Sequence, residues 1–227
     1  ETADTIAAMK ECKSKGAKTL AIVNVVGSTI AKIADWCLYT WAGPEIAVAT
    51  TKGYTTQLTV LYLFALYAAK KVETVDDSTW RKLLSALKAL PKQIQQALDM
   101  NPGIAQLAKK YHSTCSMFFI GRNTDYAVAL EGALKMKEIS YIHAESYAAG
   151  ELKHGTIALI CEGQPVIALC CNDSVSEKTM SNIVEVKARG AEVLAVAFRD
   201  DTRIVSLADD MLYIPKIDPL FSAAVEI

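Results

Sequence analysis

The chain has 227 residues, of which 52% are hydrophobic, so it is long enough to bury a sizeable core in one or two domains. Lysine and arginine number 24 against 25 aspartate and glutamate residues, and this balance argues against nucleic acid or an anionic membrane as a partner. The longest apolar run, residues 58–69, is too short for a bilayer, which takes roughly 20 residues, and it predicts a buried helix.

The first part of the chain alternates helical and strand-like patterns. Residues 19–26 are apolar and rich in β-branched side chains, which predicts a strand buried on both faces of a parallel sheet. A polar, threonine-rich loop at 49–56 leads into the apolar run. The predicted elements are a helix up to Gly16, a strand at 19–26, a short helix from Ser28 to Asp35, a strand at 37–41 and a long helix from Lys52 to Lys71.

Residues 73–103 predict a helical connector of two helices separated by Pro91, because proline breaks the helical hydrogen-bond pattern. Strands and helices alternate again beyond it, which predicts a doubly wound parallel α/β sheet. The predicted elements are a helix at 103–111, a strand at 116–121, a long helix capped within 123–125, a strand at 165–171, a helix at 176–188, strands at 192–198 and 211–214, and a helix after Pro219.

Two blocks of sequence recur at a constant offset of 174 residues, which indicates two copies of one α/β unit. Residues 16–23, GAKTLAIV, align with 190–197, GAEVLAVA, and residues 34–39, ADWCLY, align with 208–213, ADDMLY. The first copy lacks the strand, helix and strand that precede Ser176 in the second. We therefore expect an internal fragment, with exposed apolar surface on its first domain and compensating self-association.

The stretch 130–155 holds the residues best suited to chemistry. Glu131, Lys135 and Glu138 are spaced by four and three, on one helical face, and His143 and His154 follow. Two interpretations fit these residues: a proton-transfer site, or an ion-pair ladder on a solvated helix with a histidine at its end. We expect His143 to serve packing or a supporting hydrogen bond, and His112 to lie on the surface.

Three motifs carry a resemblance to a known family. They are ETADT at residues 1–5, GPEIAVATTKGYTTQL at 43–58, and ALEGALKMKEISYIHAESYAAGELKHG at 129–155. The chain resembles, over essentially its whole length, the isomerase half of glutamine–fructose-6-phosphate aminotransferase, also called glucosamine-6-phosphate synthase. That half consists of two sugar-isomerase (SIS) domains. The family makes glucosamine 6-phosphate from fructose 6-phosphate and glutamine, the first step of amino-sugar biosynthesis.

The resemblance implies catalytic roles for three residues in the stretch 130–155. Glu138 matches the base that moves a proton between C1 and C2 of the sugar, which requires a carboxylate in reach of both carbons. Lys135 matches a lysine near the sugar oxygens, where a cation stabilises developing negative charge. His154 matches the histidine that opens the sugar ring and that, in the family, reaches into the neighbouring subunit's site.

The resemblance also implies substrate-binding residues in the first repeat. Thr2 matches a threonine of the phosphate loop at a helix N-terminus, where free backbone N–H groups favour an anion. Val48 and Thr50 match positions that contact the sugar, and Thr50 keeps the hydroxyl of the serine usual in the family. A hexose 6-phosphate is therefore the expected substrate.

The resemblance divides the chain into the C-terminal half of a first SIS domain at 1–72, a connector at 73–103 and a second SIS domain at 104–227. It implies a homodimer, with a glutaminase domain in the intact protein. The family's serine-rich phosphate loop and Schiff-base lysine are not in this sequence, so the fragment alone is expected to be inactive. Alternatives of the same fold are a non-catalytic sugar-phosphate-binding module and a related sugar-phosphate isomerase or deglycase.

The sequence contains no motif for a metal or cofactor. Six cysteines form no Cys-x-x-Cys pair, and no glycine-rich nucleotide loop or metal-spaced Cys/His set occurs. We therefore expect neither metal nor cofactor, and the family uses no pyridoxal phosphate. Free thiols without disulfide spacing are typical of a reducing cytosol, so a cytoplasmic location is expected.

Overall fold

The computed structural model describes residues 2–227; Glu1, with which the first predicted domain and the ETADT motif begin, lies outside them. The chain divides into two compact units, with the boundary between Trp80 and Arg81. The domain limits at 72 and 103 expected from the sequence divide the chain differently, and they stay a prediction.

The first unit contains a small parallel sheet. Its elements are α1 (Ala3–Ser14), β1 (Leu20–Val23), α2 (Thr29–Ile33), β2 (Trp36–Tyr39) and α3 (Lys52–Lys71). Strand β1 pairs only with β2, and it ends at Val23, three residues before the apolar run does. The prediction of a strand buried on both faces was wrong, because a sheet of two strands leaves Leu20 41% exposed.

Helix α3 has the bounds that its sequence predicted, but it is not a buried helix. Leu66 is its one buried residue among those described, while Leu61, Phe64 and Tyr67 are between 44% and 62% exposed. The two short strands of this unit offer too little surface to cover a helix of 20 residues. The predicted exposure of apolar surface is thus confirmed. No helix within residues 2–227 is both long and apolar enough to cross a membrane.

We expect this apolar surface to drive self-association, because Leu61, Phe64 and Tyr67 lie three residues apart on one helical face. Sedimentation velocity over a range of concentrations should show oligomers, and Phe64→Glu should shift them towards monomer. Lys71→Glu, a charge change at the end of the same helix, is the control. A monodisperse monomer of the parent chain would contradict the prediction.

The connector is helical, as predicted, but Pro91 does not interrupt it. Helix α4 (Asp77–Leu98) runs through Pro91, and α5 (Asn101–Tyr111) follows with Pro102 in its first turn. Proline costs a helix one backbone hydrogen bond and some steric strain. Burial of Leu87 and Leu90, in the turn before the proline, offsets that cost, so packing overrides the local signal.

The second unit is built on a five-stranded parallel sheet with the strand order β4-β3-β5-β6-β7. This is the doubly wound, flavodoxin-like order, and it confirms the predicted fold class. The elements are β3 (Ser116–Gly121), α6 (Thr124–Ser140), β4 (His143–Ala148), 3-10 helices at Ala149–His154 and Thr156–Leu159, β5 (Pro165–Cys170), α7 (Ser176–Lys187), β6 (Glu192–Phe198), β7 (Asp210–Ile214), a 3-10 helix at Pro219–Phe221 and α8 (Ala223–Glu226).

Strand β4 was missed by the sequence analysis. It is an edge strand, paired only with β3, and its sequence HAESYA has neither the apolar run nor the clean alternation of a strand. The central strands were predicted because they are continuous apolar runs. Their side chains, with Ile183 and Val186 of α7, form the buried core of this unit.

The internal repeat is confirmed by the strand register. Leu20 lies opposite Trp36 in the first unit, and Leu194 lies opposite Asp210 in the second, at the same offset of 174.

The aspartate that directly precedes the second strand of each copy, β2 or β7, makes the same contacts in both copies. Asp35 accepts a hydrogen bond from the backbone N–H of Thr19, and Asp209 accepts the corresponding one from Val193. A lysine of the preceding helix pairs with each carboxylate, Lys13 in the first copy and Lys187 in the second. The two copies therefore share tertiary contacts as well as sequence.

Candidate functional site

The charged face of α6 has the geometry that its sequence spacing predicted. The Lys135 Nζ atom lies 2.6 Å from Glu138 Oε2 and 3.3 Å from Glu131 Oε1. The three side chains are only 15% to 30% exposed, so they are less solvated than a surface ladder would be. Partial burial alone would lower the pKa of Lys135, but the hydrogen bonds to Glu138 and Glu131 raise it above its ordinary value.

This arrangement suits proton transfer beside a fixed positive charge. Lys135 is held as a cation at neutral pH, and its Nζ atom lies directly beside the Glu138 side chain. A carboxylate is the form that can accept a proton. The structure thus brings two of the three predicted catalytic residues into direct contact, while their catalytic roles stay predictions.

His154 is the last residue of the 3-10 helix Ala149–His154. Its side chain is 74% exposed, and its Nε2 atom lies 3.8 Å from Glu151 Oε2. The hydrogen bonds and ion pairs of residues 2–227 do not join it to Lys135 or Glu138. His154 is therefore presented to solvent on a short, tightly wound segment.

The other two histidines differ in how far they match expectation. His143 is 68% exposed on the edge strand β4, with its Nε2 atom 3.5 Å from Glu145 Oε1. Of the two expected roles, packing was therefore wrong, and a supporting hydrogen bond stays a prediction. The reason is the missed strand, which directs this side chain away from the core. His112 is exposed, as predicted.

The predicted substrate-binding residues lie in the first unit. Thr2 is the N-cap of α1, and its hydroxyl accepts a 3.3 Å hydrogen bond from the Thr5 N–H. Val48 is 93% exposed, and Thr50 is exposed in the loop before α3. Whether these residues bind a sugar phosphate stays a prediction.

Glu45 was missed by the sequence analysis, and it organises the loop that carries Val48 and Thr50. Its carboxylate accepts hydrogen bonds from the Gly53 N–H at 2.9 Å and the Thr51 hydroxyl at 3.1 Å. The bond from the Gly53 N–H is the main reason that the pKa of Glu45 is lowered. Glu45 therefore caps α3 from outside the helix, which a search for caps directly before the helix does not detect.

Asp125 was predicted to help cap α6, but its main partners are backbone groups just beyond the carboxyl end of β5. Its fully buried Oδ2 atom accepts the backbone N–H groups of Cys171 and Asn172 at 2.9 and 3.1 Å. Gly121 permits this approach, because a Cβ atom there would lie 2.6–2.8 Å from the backbone of Asp125 and Tyr126. Asp125 thus ties α6 to the carboxyl end of β5, where doubly wound sheets bind ligands.

A second buried carboxyl group lies beside Asp125. Both carboxylate oxygens of Glu226, in α8, and the Oδ1 atom of Asp125 are buried without a hydrogen-bond partner among residues 2–227. Burial raises the pKa of Asp125 to about 6, and burial together with the negative charge of Asp125 raises that of Glu226 to about 8. The motif search found neither residue, because Glu226 stands in no recognised motif and its burial depends on distant contacts.

Comparison with known proteins agrees with this architecture. A family model of the SIS domain matches residues 1–67 and 110–221. The chain belongs to the SIS domain family. Each of its two units contains one of the two segments that match the SIS family model.

Among curated relatives, this SIS chain is 54% identical over 95% of its length to glutamine–fructose-6-phosphate aminotransferase [isomerizing] of Caldanaerobacter subterraneus. It is 50% identical over its whole length to the protein of the same name from Methanosarcina acetivorans. The chain spans 35% and 37% of the lengths of these two relatives.

A solved structure is similar as well. It is the C-terminal domain of glucosamine-fructose-6-phosphate aminotransferase from Francisella tularensis, with a TM-score of 0.93 and 35% identity. The match covers 99% of this chain and 64% of that one.

Proposed function

We propose that this SIS chain is the isomerase portion of an enzyme that makes glucosamine 6-phosphate from fructose 6-phosphate and glutamine. The observation that carries the proposal is the Lys135–Glu138 contact, in which a cation only 15% exposed lies 2.6 Å from a carboxylate. Similarity to relatives of that activity, at 54% and 50% identity, supports it. A sensor that only binds sugar phosphates needs phosphate ligands but no proton-transfer pair, so this contact favours the enzyme over the non-catalytic alternative.

Each predicted site residue has a role in this reaction. His154 exchanges a proton with the ring oxygen to open the sugar, and its exposure leaves the imidazole accessible to substrate. Glu138 removes a proton from one of the carbons C1 and C2 and returns it to the other, while Lys135 stabilises the negative charge that develops on oxygen. Thr2, Val48 and Thr50 bind the sugar phosphate, with the phosphate at the N-terminus of α1.

The rest of the proposal concerns the intact protein. We infer a cytoplasmic homodimer in which His154 completes the partner's site, with a glutaminase domain that supplies ammonia. We also infer SIS domains at 1–72 and 104–227, joined by a connector at 73–103. The proposed proton transfers use the side chains of Glu138 and His154, and we infer no metal or cofactor for these steps.

The test is a calorimetric titration of the chain with glucosamine 6-phosphate. Thr2→Ala is expected to weaken binding by about tenfold, or roughly 1.4 kcal/mol, because it removes a polar partner at the phosphate end. Ser28→Ala is the matched control, since Ser28 caps α2 in the same way but is no part of the proposed site. Glu138→Gln should change the dissociation constant by less than about threefold, because a base acts mainly in the transition state.

The outcomes of this titration test both the phosphate site and the proposed function. Equal weakening by Thr2→Ala and Ser28→Ala would contradict the proposed phosphate site. If the parent chain does not bind, the titration is repeated on a chain as long as the curated relatives. Binding by that longer chain would support the function and assign the deficit to missing segments, whereas no binding would overturn the proposal.

A further inference from the structure

The 3-10 helix that ends at His154 is in close contact with the side chain of Arg122. Arg122 directly follows β3, and its guanidinium lies against Gly150, in the first turn of the 3-10 helix Ala149–His154. A Cβ atom at position 150 would lie 2.9–3.1 Å from the Nη and Cζ atoms of Arg122. Glycine therefore lets the guanidinium cover the backbone of this helix at close range, and a side chain at position 150 would push the guanidinium away.

A chain of polar contacts joins the same arginine to the far end of this helix. The Arg122 Nε–H group donates to Asn182 Oδ1 at 3.0 Å, and the Asn182 amide donates to Glu185 Oε2 at 3.0 Å. The other oxygen of Glu185 pairs with Lys153 Nζ at 2.8 Å. Asn182 is only 3% exposed, so the middle of this chain is shielded from solvent. Lys153 immediately precedes His154.

Two apolar side chains of this 3-10 helix pack into the core of the second unit. Ala149 and Leu152 are 0% and 1% exposed, and both belong to the core cluster of this unit. Position 150 is covered by a guanidinium and position 153 is tied to α7. Four of the six residues of this helix are therefore constrained, while His154 itself projects into solvent.

We propose that Arg122 is a positioning residue, which acts through Gly150 and through the Asn182–Glu185–Lys153 chain to hold His154 in one orientation. The proposal rests on the proposed role of His154 in opening the sugar ring. An exposed histidine on a mobile segment would sample many orientations, and a displacement of about 1 Å can cost a catalytic group 100-fold in rate. The contacts of Arg122 with Gly150 and with the Asn182–Glu185–Lys153 chain, here called the Arg122 clamp, involve the backbone and neighbours of His154. They therefore leave the imidazole accessible while they restrict its orientation.

The three histidines of the chain make this proposal testable by NMR, because His112 and His143 serve as internal references. Ring relaxation of His154 reports its order, and hydrogen exchange reports the Gly155 N–H, which bonds to the Leu152 carbonyl. In Arg122→Gln, the ring order of His154 is expected to fall, and exchange at Gly155 should accelerate about tenfold. The signals of His112 and His143 should stay unchanged.

Arg203→Gln is the matched control, because Arg203 is another arginine of this unit and its guanidinium pairs with Asp201 rather than with the His154 segment. It should leave His154 unchanged. Gly150→Ala provides a second variant: its methyl group should displace the Arg122 guanidinium and disturb the His154 signals, and the two changes should not add in the double variant with Arg122→Gln. Unchanged His154 order in folded Arg122→Gln, or additive effects in the double variant, would overturn the proposal.

This test is independent of the proposed function, because no sugar is added. Ordered His154 in the parent and disordered His154 in Arg122→Gln would establish the clamp even if glucosamine 6-phosphate did not bind. Saturable binding with no loss of His154 order in Arg122→Gln would retain the proposed function and reject the clamp.

Discussion

Asp125→Ala is expected to destabilise the second unit by about 2–5 kcal/mol, because it leaves two backbone N–H groups without their acceptor. These are the N–H groups of Cys171 and Asn172 at the carboxyl end of β5, and Asp125 itself is fully buried. The alanine also leaves a cavity between α6 and the sheet. Urea denaturation followed by circular dichroism measures the loss as a lower midpoint.

Asp173→Ala is the control for this experiment. Asp173 lies two residues beyond Cys171, it is exposed, and its loss should cost less than about 0.5 kcal/mol. Asp125→Asn should lie between the two, since an amide oxygen can still accept one of the hydrogen bonds. Equal midpoints for Asp125→Ala and Asp173→Ala would show that this carboxylate does not hold α6 to β5.

Stability is expected to fall as the pH rises from about 5 to 8, which is opposite to the trend that ordinary ion-paired carboxylates produce. Glu226 and Asp125 have pKa values of about 8 and about 6 in the folded chain, well above the ordinary values of these carboxyl groups. The folded state therefore binds more protons than the unfolded state over this range. Raising the pH then favours unfolding, by an amount on the order of a few kcal/mol.

Other groups near this pair do not reverse the trend. Burial raises the pKa values of the Cys170 and Cys171 thiols, so they stay protonated up to pH 8. A carboxylate with a lowered pKa, such as Asp35 at about 2, contributes stability that is lost only in acid, below this range. Asp201, which also faces Cys170, has a lowered pKa through its hydrogen bond with Arg203 and stays charged throughout.

The measurement is the thermal midpoint at several pH values for the parent chain and for Glu226→Gln. The glutamine cannot ionise, so most of the decline between pH 5 and 8 should disappear. Glu177→Gln, at an exposed position in α7, should keep the decline of the parent. A decline of the same size in Glu226→Gln and the parent would assign the effect to other groups.

The features that could be predicted from sequence are those encoded by neighbouring residues. Helix α3 begins at Lys52 and ends at Lys71 as predicted, because an apolar helical pattern and its flanking residues are contiguous. The contact of Lys135 with Glu138 followed from their spacing of three, since such residues meet on any helix.

Long-range packing decided what the sequence analysis missed. Pro91 should end a helix, yet α4 continues through it. Burial of Leu87 and Leu90 offsets the free-energy cost of the proline. Strand β4 has a weak local signal, and pairing with β3 alone makes it a strand. The clamp of Arg122 on Gly150 joins residues 28 positions apart, and no local pattern predicts it.

By itself, the sequence determined the repeated α/β unit, the doubly wound class of its sheet and the charged face of α6. Alternation, periodicity and helical spacing are local properties that survive in most tertiary environments. The tertiary structure alone decided which carboxyl groups are buried away from solvent. Asp125 and Glu226 are more than 100 positions apart in the chain, and only folding brings both into the apolar interior where their pKa values change.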